Sequence, residues 1–203
     1  MILITGLPRS GTSLVSGIFS ACGADFGDVC GPTAYNTKGQ FENNRIRDKC
    51  IKRILCDNGF DRLGKDPIPH ESEDFDNTII SEDLGVEAFK DPKLLLVWRV
   101  WERSFPDAKW IIVNRDYKST VASISKVHWF NDTAISLLAM QYELYKAELS
   151  MSVRCAFDVW TDDIIDGDFT IVRKVVESCG YHWNHDAVIK WVDNSLWHSL
   201  PKE

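Results

Sequence analysis

Short apolar runs alternate along the chain with longer stretches whose apolar residues recur every three or four positions. Residues 2–5 form the first apolar run, which is typical of a buried parallel strand. From Thr12 to about Gly23 the apolar residues follow helical spacing, which predicts the first helix. The same criteria predict strands at 86–89, 109–113 and 155–160, and helices at 43–58, 94–103, 117–127, 133–151, 170–178 and 186–196.

Strands that alternate with helices predict an α/β fold in three layers, with a central parallel sheet flanked by helices on both faces. The stretch 23–39 is rich in glycine, and we expect it to be irregular. Residues 60–78 are polar and acidic, which predicts a surface loop or a lid. Because no internal repeat or linker interrupts the pattern, we expect a single domain over residues 1–203.

Composition and charge narrow the classes of partner. The formal net charge is −7, which disfavours nonspecific binding to nucleic acid or to an anionic membrane. The six cysteines include no C-x-x-C pair, so we expect free thiols in a reducing compartment. No apolar run is long enough to span a membrane, and the first residues predict a strand instead of a signal peptide. A soluble, cytoplasmic protein is therefore expected.

The segment after the first strand predicts a phosphate-binding loop. Residues 6–13 match G-x-x-x-x-G followed by two hydroxyl residues, and the match lies between a predicted strand and a predicted helix. Gly6 and Gly11 permit a tight turn, and the amides at the start of the helix would point at an anion. Arg9 adds a cation within the turn. This loop makes the predicted fold a P-loop type that binds a nucleotide.

Two departures distinguish this loop from that of magnesium-dependent NTPases. Those proteins have lysine where this chain has Thr12, and an Asp directly after a later apolar strand. Here the strand 109–113 is followed by Asn114 and Arg115. The sequence therefore favours phosphate binding without a metal. A P-loop kinase or NTPase of another kind is the alternative, and it rests on the loop alone.

A second set of matches gives the chain a family resemblance. The loop is similar to the 5′-phosphosulfate loop of sulfotransferases that use 3′-phosphoadenosine 5′-phosphosulfate, through Pro8, Arg9, Ser10, Gly11, Thr12 and Ser13. In that family a strand ends in an Arg that is followed eight residues later by Ser, and both hold the 3′-phosphate. Arg115 and Ser123 have this spacing. Residues 36–43 and 89–93 resemble the branch that includes tyrosylprotein and many bacterial sulfotransferases.

The resemblance implies an enzyme that moves a sulfuryl group from 3′-phosphoadenosine 5′-phosphosulfate to a hydroxyl or amine, without a metal. The acceptor would be a small molecule, a sugar, a lipid or a peptide. Glu42 is the candidate base, although a carboxylate there would also favour the start of the next helix. His128 is the second candidate base. Arg9 would act electrostatically on the bridging oxygen and the 5′-phosphate, and Lys90 would stabilise the same developing charge. A nucleotide-binding protein that retains the fold without catalysis is a further alternative.

Overall fold

A four-stranded parallel sheet forms the centre of the molecule. The structure is a computed structural model of the chain and describes residues 1–34, 36–65, 75, 80, 84–127 and 132–196. The strands are β1 (Ile2–Gly6), β2 (Ala88–Lys90), β3 (Lys109–Asn114) and β4 (Ala156–Trp160), in the order β2-β1-β3-β4. In this register Ile4 of β1 is the partner of both Lys90 and Ile111. The carboxyl ends of the strands therefore meet at one edge, where ligand clefts form in α/β folds.

Helices connect and flank the strands. Their bounds are α1 (Thr12–Ala21), α2 (Asn44–Ile46), α3 (Lys52–Asp57), α4 (Trp98–Ser104), α5 (Tyr117–Ser125), α6 (Asp132–Ser152), α7 (Thr161–Ile165), α8 (Thr170–Ser178) and α9 (His185–Trp191). A π-helical segment, Arg47–Ile51, joins α2 to α3, and 3-10 turns lie at Pro92–Leu96 and Asn194–Leu196. Of the helices in the described part of the chain, none has both the length and the apolar character needed to cross a membrane.

The sheet is covered on both faces, because alternate strand residues point to opposite sides. The core on one face contains Leu3, Phe89 and Trp110 from the strands, together with residues of α3, α4 and α6. Ile4 and Ile111 belong to the core on the other face, which includes residues of α1, α8 and α9. The predicted α/β architecture, with a parallel sheet flanked by helices, is confirmed.

Three predicted elements differ in detail from the structure. The helix expected at 94–103 is divided, because Val97 (φ −127°, ψ 22°) interrupts it between the 3-10 turn and α4. The helix at 43–58 contains the π-helical segment. Helix α7 was not predicted, because it is only five residues long and directly follows β4. Most of the predicted loop 60–78 lies outside the described residues, although Phe75 is buried in the core.

Candidate functional site

The loop between β1 and α1 has a shape that requires glycine at two positions. A Cβ on Gly6 would lie 2.4 Å from the carbonyl oxygen of Val113, so only glycine fits against β3. Gly11 has φ 92°, a left-handed conformation that glycine adopts without strain. Arg9 is also left-handed, with φ 70°, which costs on the order of 1 kcal/mol for a residue with a Cβ. The fold thus holds the loop, and Arg9 within it, in a conformation that the isolated peptide would avoid.

Helix α1 begins directly behind this loop. Its N-cap residue is Gly11, which has no side chain to satisfy the first-turn amides. The amides of Thr12 and Ser13 therefore have no acceptor within the helix, and the helix dipole makes this end favourable for an anion. Thr161 connects the loop to the end of β3, because its hydroxyl lies 3.0 Å from the carbonyl oxygens of Ser10 and Asn114.

The two arginines and the serine of the predicted motifs meet at this loop. Arg9 Nε donates a hydrogen bond to Ser123 Oγ on α5, at 3.2 Å. Arg115, which directly follows β3 and is 9% exposed, donates from Nη1 to the carbonyl oxygen of Arg9 at 3.0 Å. Burial lowers the pKa of both guanidinium groups; for Arg115 the charge of Asp162 opposes this effect and the charge of Arg9 adds to it. Guanidinium groups nevertheless stay charged in proteins, so two cations lie beside the loop.

Lys90 lies at the carboxyl end of β2 and bridges the loop to Glu42. Its ammonium is 3.2 Å from Glu42 Oε1, 3.1 Å from the carbonyl oxygen of Gln40 and 3.5 Å from Ser13 Oγ. The Lys90 side chain is 4% exposed and that of Glu42 is 13% exposed, so the ion pair is buried. Ser13 Oγ also accepts a hydrogen bond from Asn36 Nδ2 at 2.8 Å. Two of the three predicted catalytic groups, Glu42 and Lys90, are therefore paired with each other.

The pKa of Glu42 is set by opposing effects. Burial raises it, but the charges of Lys90, Lys93 and Arg47, with the hydrogen bond from Lys90, outweigh burial and hold the pKa below its usual value. Arg47 Nη1 lies 3.9 Å from Glu42 Oε2. The carboxylate is therefore ionised at neutral pH, but it is a weak base in this arrangement.

A second buried ion pair, between Asp91 and Lys93, lies near the first. Lys93 Nζ is 2.9 Å from Asp91 Oδ1, and the Asp91 side chain has no exposed surface. Burial raises the pKa of the Asp91 carboxyl group, while Lys93 opposes this shift. The backbone of Asp91 is fixed to β1, since Thr5 Oγ1 donates to its carbonyl oxygen at 3.1 Å. These contacts hold the turn after β2, and so the position of Lys90.

Most of the predicted catalytic and cofactor-binding residues line a single cleft. It is lined by Pro8, Arg9, Gly11, Thr12, Ser13, Glu42, Lys90, Arg115 and Ser123. Ser10 differs from these residues, because its side chain is 2% exposed and packs beneath the loop beside Gly6. His128 lies outside the described residues. Within the described ranges, no group of three or more His, Cys, Asp or Glu side chains is arranged to hold a metal ion.

The sequence did not predict one part of the cleft lining, which is formed by Trp191 and Lys38. Trp191 of α9, which no motif singles out, lines the cleft. Its Nε1 donates to the carbonyl oxygen of Leu14 at 3.0 Å, and a Cβ on Gly17 would overlap its ring at 1.9 Å. Lys38 Nζ lies 5.1 Å from the centre of the same ring and 3.8 Å from Asp193 Oδ2. A glycine inside an otherwise apolar helix was the signal for a bulky neighbour.

The donors around the loop fit a phosphorylated ligand. The first turn of α1, Arg9, Arg115 and Ser123 all present hydrogen-bond donors or positive charge at the loop. The Lys90 ammonium contacts both Glu42 Oε1 and Ser13 Oγ, so it links the carboxylate to the loop. A search of protein-family models gave no match to this chain, and a search of curated proteins gave none either.

Proposed function

We propose that this protein is a sulfotransferase that takes its sulfuryl group from 3′-phosphoadenosine 5′-phosphosulfate and delivers it to a hydroxyl or amine. The observation that carries the proposal is the convergence of two motifs more than 100 residues apart. The loop arginine, Arg9, is bonded to Ser123 and to Arg115 at 3.2 and 3.0 Å. A nucleotide that carries phosphate on both the 3′ and the 5′ position of its ribose would engage the loop with one phosphate and the pair Arg115 and Ser123 with the other.

The surroundings of Ser13 favour this proposal over a magnesium-dependent kinase or NTPase. In those enzymes the equivalent hydroxyl binds the metal ion. Here Ser13 Oγ lies 3.5 Å from the Lys90 ammonium and accepts a hydrogen bond from Asn36. A divalent cation at Ser13 would meet a positive charge at close range, which is unfavourable in a partly buried site. An anion at the same place would be attracted by Lys90.

Each group of the cleft has a task in this proposal. The first-turn amides of α1 and Arg9 would hold the 5′-phosphosulfate, and Arg115 with Ser123 would hold the 3′-phosphate. When bound, the donor supplies an activated sulfuryl group. Arg9 would stabilise charge on the bridging oxygen without giving up a proton, because guanidinium groups do not deprotonate readily. Glu42 would accept the proton of the acceptor at its carboxylate.

The pair between Lys90 and Glu42 implies a change during the reaction. A carboxylate whose pKa is lowered by a neighbouring ammonium is a poor base. The Lys90 ammonium contacts Ser13 Oγ as well as Glu42, so it would be drawn toward the loop whenever an anion is held there. Glu42 would then lose its nearest cation, and its pKa would rise toward the usual value. Donor binding would in this way prepare the base.

Ligand-dependent thermal stability tests the nucleotide assignment. Adenosine 3′,5′-bisphosphate without metal should stabilise the protein by about 3 kcal/mol at a hundred times its dissociation constant. For a chain of this size that corresponds to an increase in Tm of about 6–12 °C. Magnesium-ATP should give a much smaller shift, and the opposite ranking would rule out the proposal. Arg115→Ala should remove the preference for the 3′-phosphorylated nucleotide, whereas Arg173→Ala, an exposed arginine on α8, should leave it unchanged.

Transfer itself is tested with a labelled phosphosulfate donor against a panel of hydroxyl and amine acceptors. The wild-type protein should label at least one acceptor class. Glu42→Gln should retain adenosine 3′,5′-bisphosphate binding but lose turnover, since it keeps the shape of the carboxylate without its basicity. Normal turnover in this variant would place the base elsewhere. Nucleotide binding without transfer to any acceptor would support the non-catalytic alternative instead.

A further inference from the structure

Helix α6 has a second apolar face that does not pack on the sheet. Its core face includes Leu138, Tyr142 and Leu149, which are at most 3% exposed. The opposite face is the exposed stripe, which consists of Leu137, Met140, Leu144, Ala147 and Met151. Nine large apolar side chains are exposed among the described residues, and four of them belong to this stripe. Scattered single apolar residues are normal on a surface, but a concentration of this kind marks an interaction site.

The spacing of the exposed stripe identifies the shape of its partner. Its members are separated by three, four, three and four positions, which is the seam of a coiled coil over two heptads. The stripe extends about 21 Å along the helix at 1.5 Å per residue. Residues beside a coiled-coil seam are normally polar, and here they are Ser136, Gln141, Glu143, Glu148 and Ser150. A seam with polar edges fits another helix better than it fits an extended peptide or a lipid surface.

The charges at the edges of the exposed stripe allow a second copy of α6 to be that helix. Glu143 is bridged within the same helix to Lys146, and Glu148 is bridged to Arg99 of α4 at 2.9 Å. Two copies can therefore approach without bringing unpaired like charges together. A two-fold pair is also self-complementary, because each stripe presents the same apolar knobs and the small gap at Ala147.

We propose that this protein forms a two-fold dimer through the exposed stripe of α6, with the seam of one copy packed against the seam of its partner. The inference is independent of the sulfotransferase assignment, since the stripe does not line the nucleotide cleft. Four helical turns bury less surface than the interface of an obligate dimer. We therefore expect a weak, reversible dimer with a dissociation constant on the order of 1 μM or higher.

Sedimentation velocity from low micromolar to submillimolar protein tests the dimer. The weight-average mass of the wild-type protein should rise from that of one chain toward that of two. Leu144→Glu should keep the protein monomeric throughout, with an unchanged circular dichroism spectrum, because Leu144 is 52% exposed in the single chain. Ile189→Glu is the matched control, since Ile189 is 48% exposed on α9, and this variant should dimerise like the wild type.

Three results would overturn the proposal. The wild-type protein could stay monomeric at every concentration, which would assign the stripe to a different partner. Leu144→Glu could dimerise as strongly as Ile189→Glu, which would place the interface on another surface. Ile189→Glu could abolish the dimer while Leu144→Glu leaves it intact, which would move the interface to α9.

Discussion

Replacing Lys90 with methionine should destabilise the folded protein and raise the pKa of Glu42. Methionine keeps most of the length and apolar stem of lysine but removes the ammonium. In the wild-type protein that ammonium lies 3.2 Å from Glu42 Oε1, in a pair whose side chains are 4% and 13% exposed. Lys90→Met therefore leaves a buried carboxylate without its nearest cation.

The size of the effect follows from the distance and the burial. Two unit charges 3.2 Å apart attract by roughly 5 kcal/mol at an effective dielectric constant of 20. The desolvation of both ions opposes this attraction, and Lys93 and Arg47 still act on Glu42 after the substitution. We therefore expect a loss at the low end of the range for breaking a buried pair, about 3 kcal/mol at pH 7. The corresponding decrease in Tm is about 6–12 °C.

The loss should depend on pH in a defined direction. The wild-type pKa of Glu42 is lowered, so its carboxylate contributes stability that is present above the unfolded pKa of about 4.3 and disappears as the pH falls through the folded pKa. In Lys90→Met burial acts against fewer cations, and the pKa of Glu42 moves upward. The difference in stability between the two proteins should therefore be greatest near pH 7 and shrink as the pH decreases toward 4.

Urea unfolding at pH 7 and at lower pH, followed by circular dichroism, measures this difference. Lys52→Met is the control, because Lys52 pairs at 2.6 Å with an Asp48 side chain that is 52% exposed, and such surface pairs contribute about 1 kcal/mol or less. The double variant Glu42→Gln/Lys90→Met should recover part of the loss, since no buried charge is then left alone. Equal losses for Lys90→Met and Lys52→Met would refute the reasoning, as would a double variant less stable than Lys90→Met.

Two further substitutions test how the cleft is built. Gly17→Ala should lower the free energy of unfolding by about 1–3 kcal/mol, because its Cβ would overlap the Trp191 ring at 1.9 Å, and the near-ultraviolet circular dichroism of that ring should change. An unchanged spectrum would mean that Trp191 does not pack on α1. Thr161→Val should lower stability by about 1 kcal/mol, through loss of the hydroxyl that contacts the carbonyl oxygens of Ser10 and Asn114. It should also weaken adenosine 3′,5′-bisphosphate binding severalfold by calorimetry, and unchanged affinity would show that the loop does not need this support.

The elements that were predicted well are those with a strong local signal. The strand at 109–113 has a continuous apolar run, and the structure extends it by one residue to Asn114. The helix at 170–178 has the same bounds in the structure. Helix α7 and the interruption at Val97 were missed, because each involves only one or two turns, too few for a periodic pattern.

Candidate residues of the cleft were also readable from sequence, because a turn between a strand and a helix dictates its own glycines. Gly6 and Gly11 were identified from spacing alone, and the close approach to Val113 and the positive φ supply the physical reason. Ser10 shows the limit of that reasoning. It belongs to the same motif, but the turn directs its side chain into the interior.

The sequence by itself determined the alternation of strands with helices along the chain, the α/β class and the loop that precedes α1. These depend on residues close together in the chain, whose periodicity and turn preferences act locally. Only the tertiary structure decided that Lys90 is paired with Glu42, 48 positions away, and that Trp191 lies against Gly17. Which charges become neighbours, and how far water is excluded from them, depends on how distant elements pack, and those two quantities set the pKa of Glu42.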